Sequence, residues 1–127
     1  MERFFWICLG GAIGTGVRYL VGLWAGERFS SPLSFATLVV NVAGCFLIAL
    51  VMHVAIKLGA FPVTLRLALT TGFMGGLTTY SSFNYETSKL LAEGAPHLAA
   101  VNVGVTLIAC LAAGFLGVVA ARLLVGR

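Results

Sequence analysis

Four long apolar stretches, joined by short polar loops, occupy almost the whole of this 127-residue sequence. The stretches cover residues 4–24, 35–54, 65–91 and 98–124. A helix needs about 20 mostly apolar residues to cross a bilayer, so each stretch is long enough for one crossing. Only 9% of the residues are charged, against about 25% in a typical soluble domain. The sequence therefore predicts an all-α membrane protein with four transmembrane helices in a single domain, residues 1–127, and no separate soluble domain.

The third stretch contains a segment, residues 72–83, that does not resemble a regular membrane helix. Its sequence, GFMGGLTTYSSF, holds three glycines and four serine or threonine residues. The bilayer core has no water to satisfy freed backbone groups, so a break at this depth must line a cavity or bind a ligand. We therefore expect the third helix to be broken in the middle of the membrane, with helical halves over 65–71 and 80–91 and the break over 72–79.

Three isolated polar side chains lie within the predicted spans: Arg18, Asn41 and Glu86. A charge at the centre of a span costs about 2.5–3.5 kcal/mol on insertion scales. Arg18 therefore either faces protein or water, or extends to the membrane interface. Asn41 either hydrogen-bonds a neighbouring helix or has a functional role. Glu86 is either a site residue or an interfacial charge, paired with Lys89 or with a basic residue of another helix.

The basic residues are scattered, so the net charge of +4 indicates flanks of membrane spans rather than a patch that binds nucleic acid. With four spans, both termini lie on the same side of the membrane. That side carries five basic residues: Arg3, Lys57, Arg66, Arg122 and Arg127. The opposite side carries Arg28 and Lys89. This bias favours termini that face the cytoplasm.

No arrangement of side chains suited to catalysis is apparent. The sequence has no aspartate, its four glutamates are dispersed, and its two histidines are isolated from one another. The three cysteines are also isolated, which gives no support to a disulfide framework or a zinc site. The sequence therefore predicts that this protein is not an enzyme.

Passage of an ion or solute fits the sequence better than catalysis. Backbone carbonyls in a broken membrane helix can hold a hard cation such as Na+, whereas amides, hydroxyls and aromatic ring edges suit an anion. One chain of this length is too small to enclose a pore. Small residues at helical spacing, such as Gly10 and Gly14, allow helices to approach closely. We therefore expect a homo-oligomer.

Three motifs occur in order along the chain: Gly11-x-x-Gly14-x-x-x-Arg18, then TLVVNVAG at residues 37–44, then the segment 72–83. Together they resemble the Fluc (CrcB) family of fluoride channels, and the similarity covers all four spans. The resemblance implies an antiparallel, dual-topology homodimer with two fluoride pores between its subunits and one central structural Na+. It also implies a multi-pass protein of the inner (plasma) membrane of a prokaryote, which lowers cytoplasmic fluoride by passive efflux.

The resemblance also implies roles for individual residues. The carbonyl groups of Gly75 and Thr78 would bind the Na+, and Arg18 would be a structural anchor in helix one. The fluoride pathway would be lined by polar and aromatic side chains, namely Asn41, Tyr80, Ser81, Ser82, Phe83 and Glu86. Position 80 is tyrosine where the family pattern has phenylalanine. We expect the added hydroxyl to slow or alter permeation without loss of the fold.

Two other functions are compatible with a chain of this size. A small multidrug or cation exporter also has four short spans, but its coupling relies on a glutamate within span one. Here Glu2 lies outside that span, and the charge within it is Arg18. A structural subunit of a larger membrane complex would use the small-residue ridges, but it does not explain the broken third helix. The distribution of basic residues, five on one side of the membrane against two on the other, also departs from the family resemblance. A dual-topology protein should show little such bias.

Overall fold

The computed structural model describes residues 1–29, 33–59 and 61–126, which form helices and the segments that connect them. The helices are α1 (Glu2–Arg28), α2 (Phe35–Leu58), α3 (Val63–Leu67), α4 (Gly75–Leu77), α5 (Tyr80–Ala92) and α6 (Pro96–Val125). A π-helical segment, Ala68–Met74, joins α3 to α4. We refer to residues 63–92 as the third span. The predicted all-α fold is confirmed. Arg127, one of the residues in the predicted charge bias, lies outside the described residues.

Three helices, α1, α2 and α6, are each long and apolar enough to cross a membrane. The third span is divided, because Thr78 and Thr79 both have extended backbones and separate α4 from α5. The break expected over residues 72–79 is thus confined to its last two residues. Residues 72–77 stay helical, and Gly72 and Gly76 pack the third span against α1.

Glycines of the third span contact the backbone of α1. A Cβ atom on Gly72 would lie 2.6 Å from the carbonyl oxygen of Ile7, and one on Gly76 would collide with the carbonyl oxygen of Gly11. The contact moves from Ile7 to Gly11 in α1 as it moves from Gly72 to Gly76 in the third span. The two segments therefore run parallel. The small-residue ridge of α1 is therefore used within one chain, and it does not by itself argue for an oligomer.

Helices α2 and α6 form a second parallel pair. A Cβ atom on Gly114 would lie 3.8 Å from the carbonyl oxygen of Cys45, and one on Gly117 would collide with the carbonyl oxygen of Phe46. The third span is linked to this pair through α5, because the buried Asn102 side chain donates a hydrogen bond to Thr87 Oγ1 at 2.9 Å. Because α2 and α6 are parallel, their carboxyl ends lie at the same end of the molecule.

Much of the outer surface of α6 is apolar and exposed in the single chain. Exposed large side chains recur along it, among them Leu107, Ile108, Leu111 and Phe115. In a membrane protein such surfaces face lipid or the apolar faces of other helices, and the lipid core offers no hydrogen bonds to a polar group. The buried polar side chains lie instead between the helices.

Candidate ion site at the broken helix

The hydroxyl groups at the break are engaged by nearby atoms. Thr79 is the N-cap of α5, and its Oγ1 accepts a hydrogen bond from the Ser82 backbone N–H at 3.1 Å. The Thr79 hydroxyl also donates to Ser82 Oγ at 3.0 Å. Thr78 donates its own hydroxyl to the Met74 carbonyl oxygen at 2.9 Å. These bonds show which hydroxyls cap the broken helix, a point that the sequence could not resolve.

Asn41 of α2 is bonded to the break through both ends of its amide. Its Nδ2 donates to the Thr79 carbonyl oxygen at 3.1 Å, and its Oδ1 accepts from the Thr79 backbone N–H at 2.7 Å. The side chain is buried. An amide group carries two N–H donors, so one remains for a further partner. Asn41 thus forms hydrogen bonds to a neighbouring helix, which is the first of the two alternatives that the sequence left open. Its remaining N–H is available for a functional role.

Arg18 of α1 faces the third span of its own chain. Its Nε donates to the Gly76 carbonyl oxygen at 3.0 Å, and the Thr15 hydroxyl donates to the same oxygen at 3.5 Å. The last carbonyls of a helix have no partners within that helix. The two side chains of α1 supply such partners where α4 ends.

The break also frees the carbonyl oxygens of Gly75 and Thr78. In a continuous helix they would accept from the N–H groups four residues later. The Thr79 N–H donates instead to Asn41 Oδ1, and the Ser82 N–H donates to Thr79 Oγ1. Unwound backbone carbonyls of this kind coordinate Na+ in other membrane proteins. The two residues thus have the donor chemistry expected for the cation implied by the sequence resemblance.

Side-chain chemistry supplies no competing metal site in the part of the chain that the structure describes. Within those residues, no three His, Cys, Asp or Glu side chains are grouped so that they could hold a metal ion.

Glu86 of α5 is hydrogen-bonded to α2. The Thr37 hydroxyl donates to Glu86 Oε1 at 2.6 Å, and the Ser34 hydroxyl donates to Thr37 Oγ1 at 3.1 Å. Lys89 forms its ion pair with Glu93, at 3.7 Å, so the pairing of Glu86 with Lys89 is wrong. The other carboxylate oxygen, Oε2, is buried and has no hydrogen-bond partner among the described residues. Thr37 is the partner that sequence reasoning did not identify.

A signal for Thr37 was nevertheless present in the sequence. Thr37 lies four residues before Asn41 and therefore on the same face of α2. Both side chains are buried, and both bond to the third span. The position of Thr37, one helical turn from Asn41, thus indicated that Thr37 also faces the third span.

Polar groups from α1, α2 and the third span converge on a cavity of about 280 Å³. Its lining residues are Arg18, Gly22, Ser34, Ala36, Thr37, Val40, Thr79, Ser82 and Glu86. A larger cavity of about 670 Å³ shares Ser82 and Glu86 and is also lined by Ser81. The structure thus brings four of the predicted site residues, Arg18, Ser81, Ser82 and Glu86, to one connected polar region.

The other predicted site residues do not line these two cavities. Asn41, Gly75 and Thr78 line a separate cavity of about 330 Å³. Tyr80 and Phe83 pair with their ring centroids 5.7 Å apart, and Tyr80 is 79% exposed. A single chain therefore does not enclose the two aromatic rings.

Comparison with known proteins identifies the family of this chain. Residues 5–118 match the family model described as CrcB-like protein, Camphor Resistance (CrcB). A protein of Sorangium cellulosum, named fluoride-specific ion channel FluC, is 47% identical over 125 residues, which cover 98% of each chain. A protein of the same name from Anaeromyxobacter dehalogenans is 46% identical over 126 residues, 99% of this chain and 100% of its own. The same name is carried by a protein of Citrifermentans bemidjiense that is 44% identical over 98% of this chain. This chain therefore belongs to the CrcB family, whose relatives named here are ion channels.

Proposed function

We propose that this chain forms a fluoride-selective channel, which lowers cytoplasmic fluoride by passive efflux across the inner membrane of a prokaryote. The observation that carries the proposal is the similarity to proteins named fluoride-specific ion channels, 47% identical over 98% of the chain. The break in the third span supports it, because irregular backbone at membrane depth is tolerated only where it is buried in protein or lines a cavity.

The aromatic pair of exposed Tyr80 and half-buried Phe83 favours a pore formed between two copies of the chain. Tyr80 and Phe83 lie side by side, and most of the Tyr80 surface is open in the single chain. Aromatic ring edges carry partial positive charge and attract an anion. A second copy, packed antiparallel in a dual-topology dimer, would enclose both pairs and form two pores.

Polar side chains would continue the pathway on either side of the aromatic pair. Ser81 and Ser82 offer hydroxyl donors along the large cavity, and Asn41 offers its second amide N–H. Glu86 would repel an anion, and the Arg18 guanidinium that lines the same cavity offsets that charge. These donors would replace part of the hydration shell of fluoride.

Gly75 and Thr78 are the residues that would hold a structural Na+ at the centre of the dimer through their carbonyl oxygens. The cation would supply positive charge that offsets the partial negative charges of carbonyls from two broken helices. Thr78 already bonds back to Met74 through its hydroxyl, which orients its backbone at the break.

Passive efflux is sufficient for the proposed physiological role. HF is a weak acid that crosses membranes as a neutral molecule and dissociates in a less acidic cytoplasm, where F− is trapped. A negative-inside membrane potential expels an anion with a driving force of about 2.3 kcal/mol per charge per 100 mV. A selective pore therefore needs no chemical energy source.

The test is fluoride efflux from liposomes that contain only this protein, followed with a fluoride electrode under an imposed membrane potential. We expect rapid fluoride efflux and no chloride efflux under the same potential. Efflux no faster than from protein-free liposomes, or equal passage of chloride, would contradict the proposal.

A further inference from the structure

A basic cavity lies between the carboxyl ends of α2 and α6. Its volume is about 500 Å³, and its lining residues are His53, Lys57, Val119, Arg122, Leu123 and Gly126. Lys57 is in the last turn of α2 and Arg122 is in the last turn of α6. Because these helices are parallel, both cations lie at the same membrane face. None of its lining residues lines the cavities at the break.

The two cations of this cavity have no acidic partner among residues 1–29, 33–59 and 61–126. Within those residues the ion pair that forms joins Lys89 to Glu93, neither of which lines this cavity. Two like charges that border one cavity repel each other, and an anion placed between them removes that repulsion. The cavity is thus electrostatically suited to an anion.

His53 adds an unpartnered hydrogen-bonding atom to the same cavity. Its Nε2 atom is buried and has no hydrogen-bond partner in the described part of the chain. Leaving a buried polar group without a partner is unfavourable. An oxygen atom of a bound anion would accept a hydrogen bond from Nε2 when that nitrogen carries the proton.

Helix dipoles act against an anion here, and this narrows the choice of ligand. The carboxyl end of a helix carries partial negative charge, which repels a nearby anion. Lys57 and Arg122 must outweigh that repulsion. A ligand group with a full negative charge and several acceptor oxygens, such as a phosphate, gains most from two cations and an imidazole.

The cavity borders apolar surface that would face lipid. Leu123, in the lining, is 82% exposed, and the adjacent Leu124 is 73% exposed. A free inorganic anion would gain nothing from these side chains, whereas a lipid would lay its acyl chains along them. Basic pockets between transmembrane helices are known to take anionic lipid head groups.

We propose that the cavity between α2 and α6 binds the phosphate of an anionic phospholipid, with His53, Lys57 and Arg122 as its ligands. The bound lipid holds together the carboxyl ends of the two helices at the membrane face. Binding of a lipid to the folded state alone also stabilises the protein, by an amount that rises with the logarithm of lipid concentration once that concentration exceeds the dissociation constant. This site does not depend on the proposed ion conduction.

The test is lipid binding to the intact, detergent-purified protein, measured by native mass spectrometry. The protein is titrated with phosphatidylglycerol and, as the matched zwitterionic lipid, with phosphatidylcholine. We expect retention of phosphatidylglycerol alone. In Lys57→Gln/Arg122→Gln we expect the affinity for phosphatidylglycerol to fall about tenfold or more, since each charge-assisted hydrogen bond makes a substantial contribution.

The matched control is Arg28→Gln/Lys89→Gln, which changes the net charge equally but lies outside the cavity. It should retain phosphatidylglycerol as the unmodified protein does. His53→Phe keeps both cations and should weaken binding several-fold, so it tests the site even if the double variant fails to fold. Equal binding of both lipids, or an equal loss in the control pair, would overturn the proposal.

Inorganic phosphate at millimolar concentration distinguishes a lipid from a free anion. We expect it not to displace phosphatidylglycerol, because it lacks the acyl chains that contact Leu123. If phosphate fully displaces phosphatidylglycerol from the unmodified protein, the cavity is a site for free phosphate and the lipid assignment is overturned. Fluoride efflux is not measured in this experiment, so its result is independent of the proposed channel function.

Discussion

At the residue scale, Asn41 is the side chain on which the break most depends. A backbone that leaves the helix at membrane depth must find hydrogen-bond partners within the protein. Asn41 supplies an acceptor and a donor to the N–H and the carbonyl of one residue, Thr79. Its role at the break is therefore structural, whatever further contact it makes with an ion.

Replacement of Asn41 with alanine should lower stability. Two buried backbone groups of Thr79 would lose their partners, at a cost of about 1–3 kcal/mol for each group left unsatisfied. We expect a lower thermal unfolding temperature in detergent and slower fluoride efflux. Asn84→Ala is the matched control, because Asn84 is exposed on α5. Equal unfolding temperatures for the two variants would show that the amide does not hold the break.

Tyr80→Phe separates conduction from stability. Tyr80 is 79% exposed in the single chain and would border the proposed pore rather than a packed core, so removal of its hydroxyl should leave the unfolding temperature unchanged. If the hydroxyl intrudes on the proposed pore and adds about 1 kcal/mol to the barrier, fluoride efflux should become about fivefold faster. Efflux rates measured side by side in liposomes check this. An unchanged rate would mean that the hydroxyl does not intrude.

At the scale of elements, the contact between α1 and the third span depends on glycine at particular positions. A Cβ atom on Gly14 would collide with the Phe73 carbonyl oxygen, whereas nothing lies within 4 Å of a Cβ atom on Gly16. The two glycines share one helix and differ in what they face. Close backbone approach, rather than helix flexibility, is what Gly14 provides.

Gly14→Ala should therefore destabilise the protein by about 1–3 kcal/mol, the usual cost of overpacking. Gly16→Ala should be neutral or should stabilise by up to about 1 kcal/mol, because alanine is the better helix former. Thermal unfolding of both variants in the same detergent tests the difference. Similar destabilisation by both would argue against a close contact at Gly14.

At the scale of the whole molecule, we expect the chain to form a dimer, because the proposed cation site needs carbonyl oxygens from two chains. The carbonyls of Gly75 and Thr78 lack their helical partners, and a dimer would bring two such sets together. The purified protein should have the mass of two 13.3 kDa chains. Measured by light scattering with detergent subtracted, the mass of one chain would contradict this assembly.

Removal of Na+ should reduce channel activity slowly, because a cation at the centre of a dimer exchanges only when the helices around it move apart. The measurement is fluoride efflux from liposomes dialysed for increasing times into Na+-free buffer. Replacement of Na+ by an equal concentration of a large organic cation controls for ionic strength. Efflux that is indifferent to Na+ would count against Gly75 and Thr78 as cation ligands.

The amino-acid sequence by itself determined that the chain is helical and lies in a membrane, and that its third helix is irregular. It marked Arg18 and Asn41 as polar side chains that lipid alone could not satisfy, but it left open whether Arg18 reaches the membrane interface and whether Asn41 has more than a structural role. These properties follow from composition and from the chemistry of residues near one another in the chain. They could be predicted because the bilayer imposes the same constraint on every segment that crosses it.

Only the tertiary structure decided which groups meet. The break is confined to Thr78 and Thr79. Gly72 and Gly76 pack against α1, and Glu86 is bonded to Thr37 rather than to Lys89. The last two contacts join residues that are far apart in the sequence, and the position of the break depends on the long-range bonds between Asn41 and Thr79. Helical periodicity places a residue on a face of its own helix, but it contains no information about which helix that face contacts.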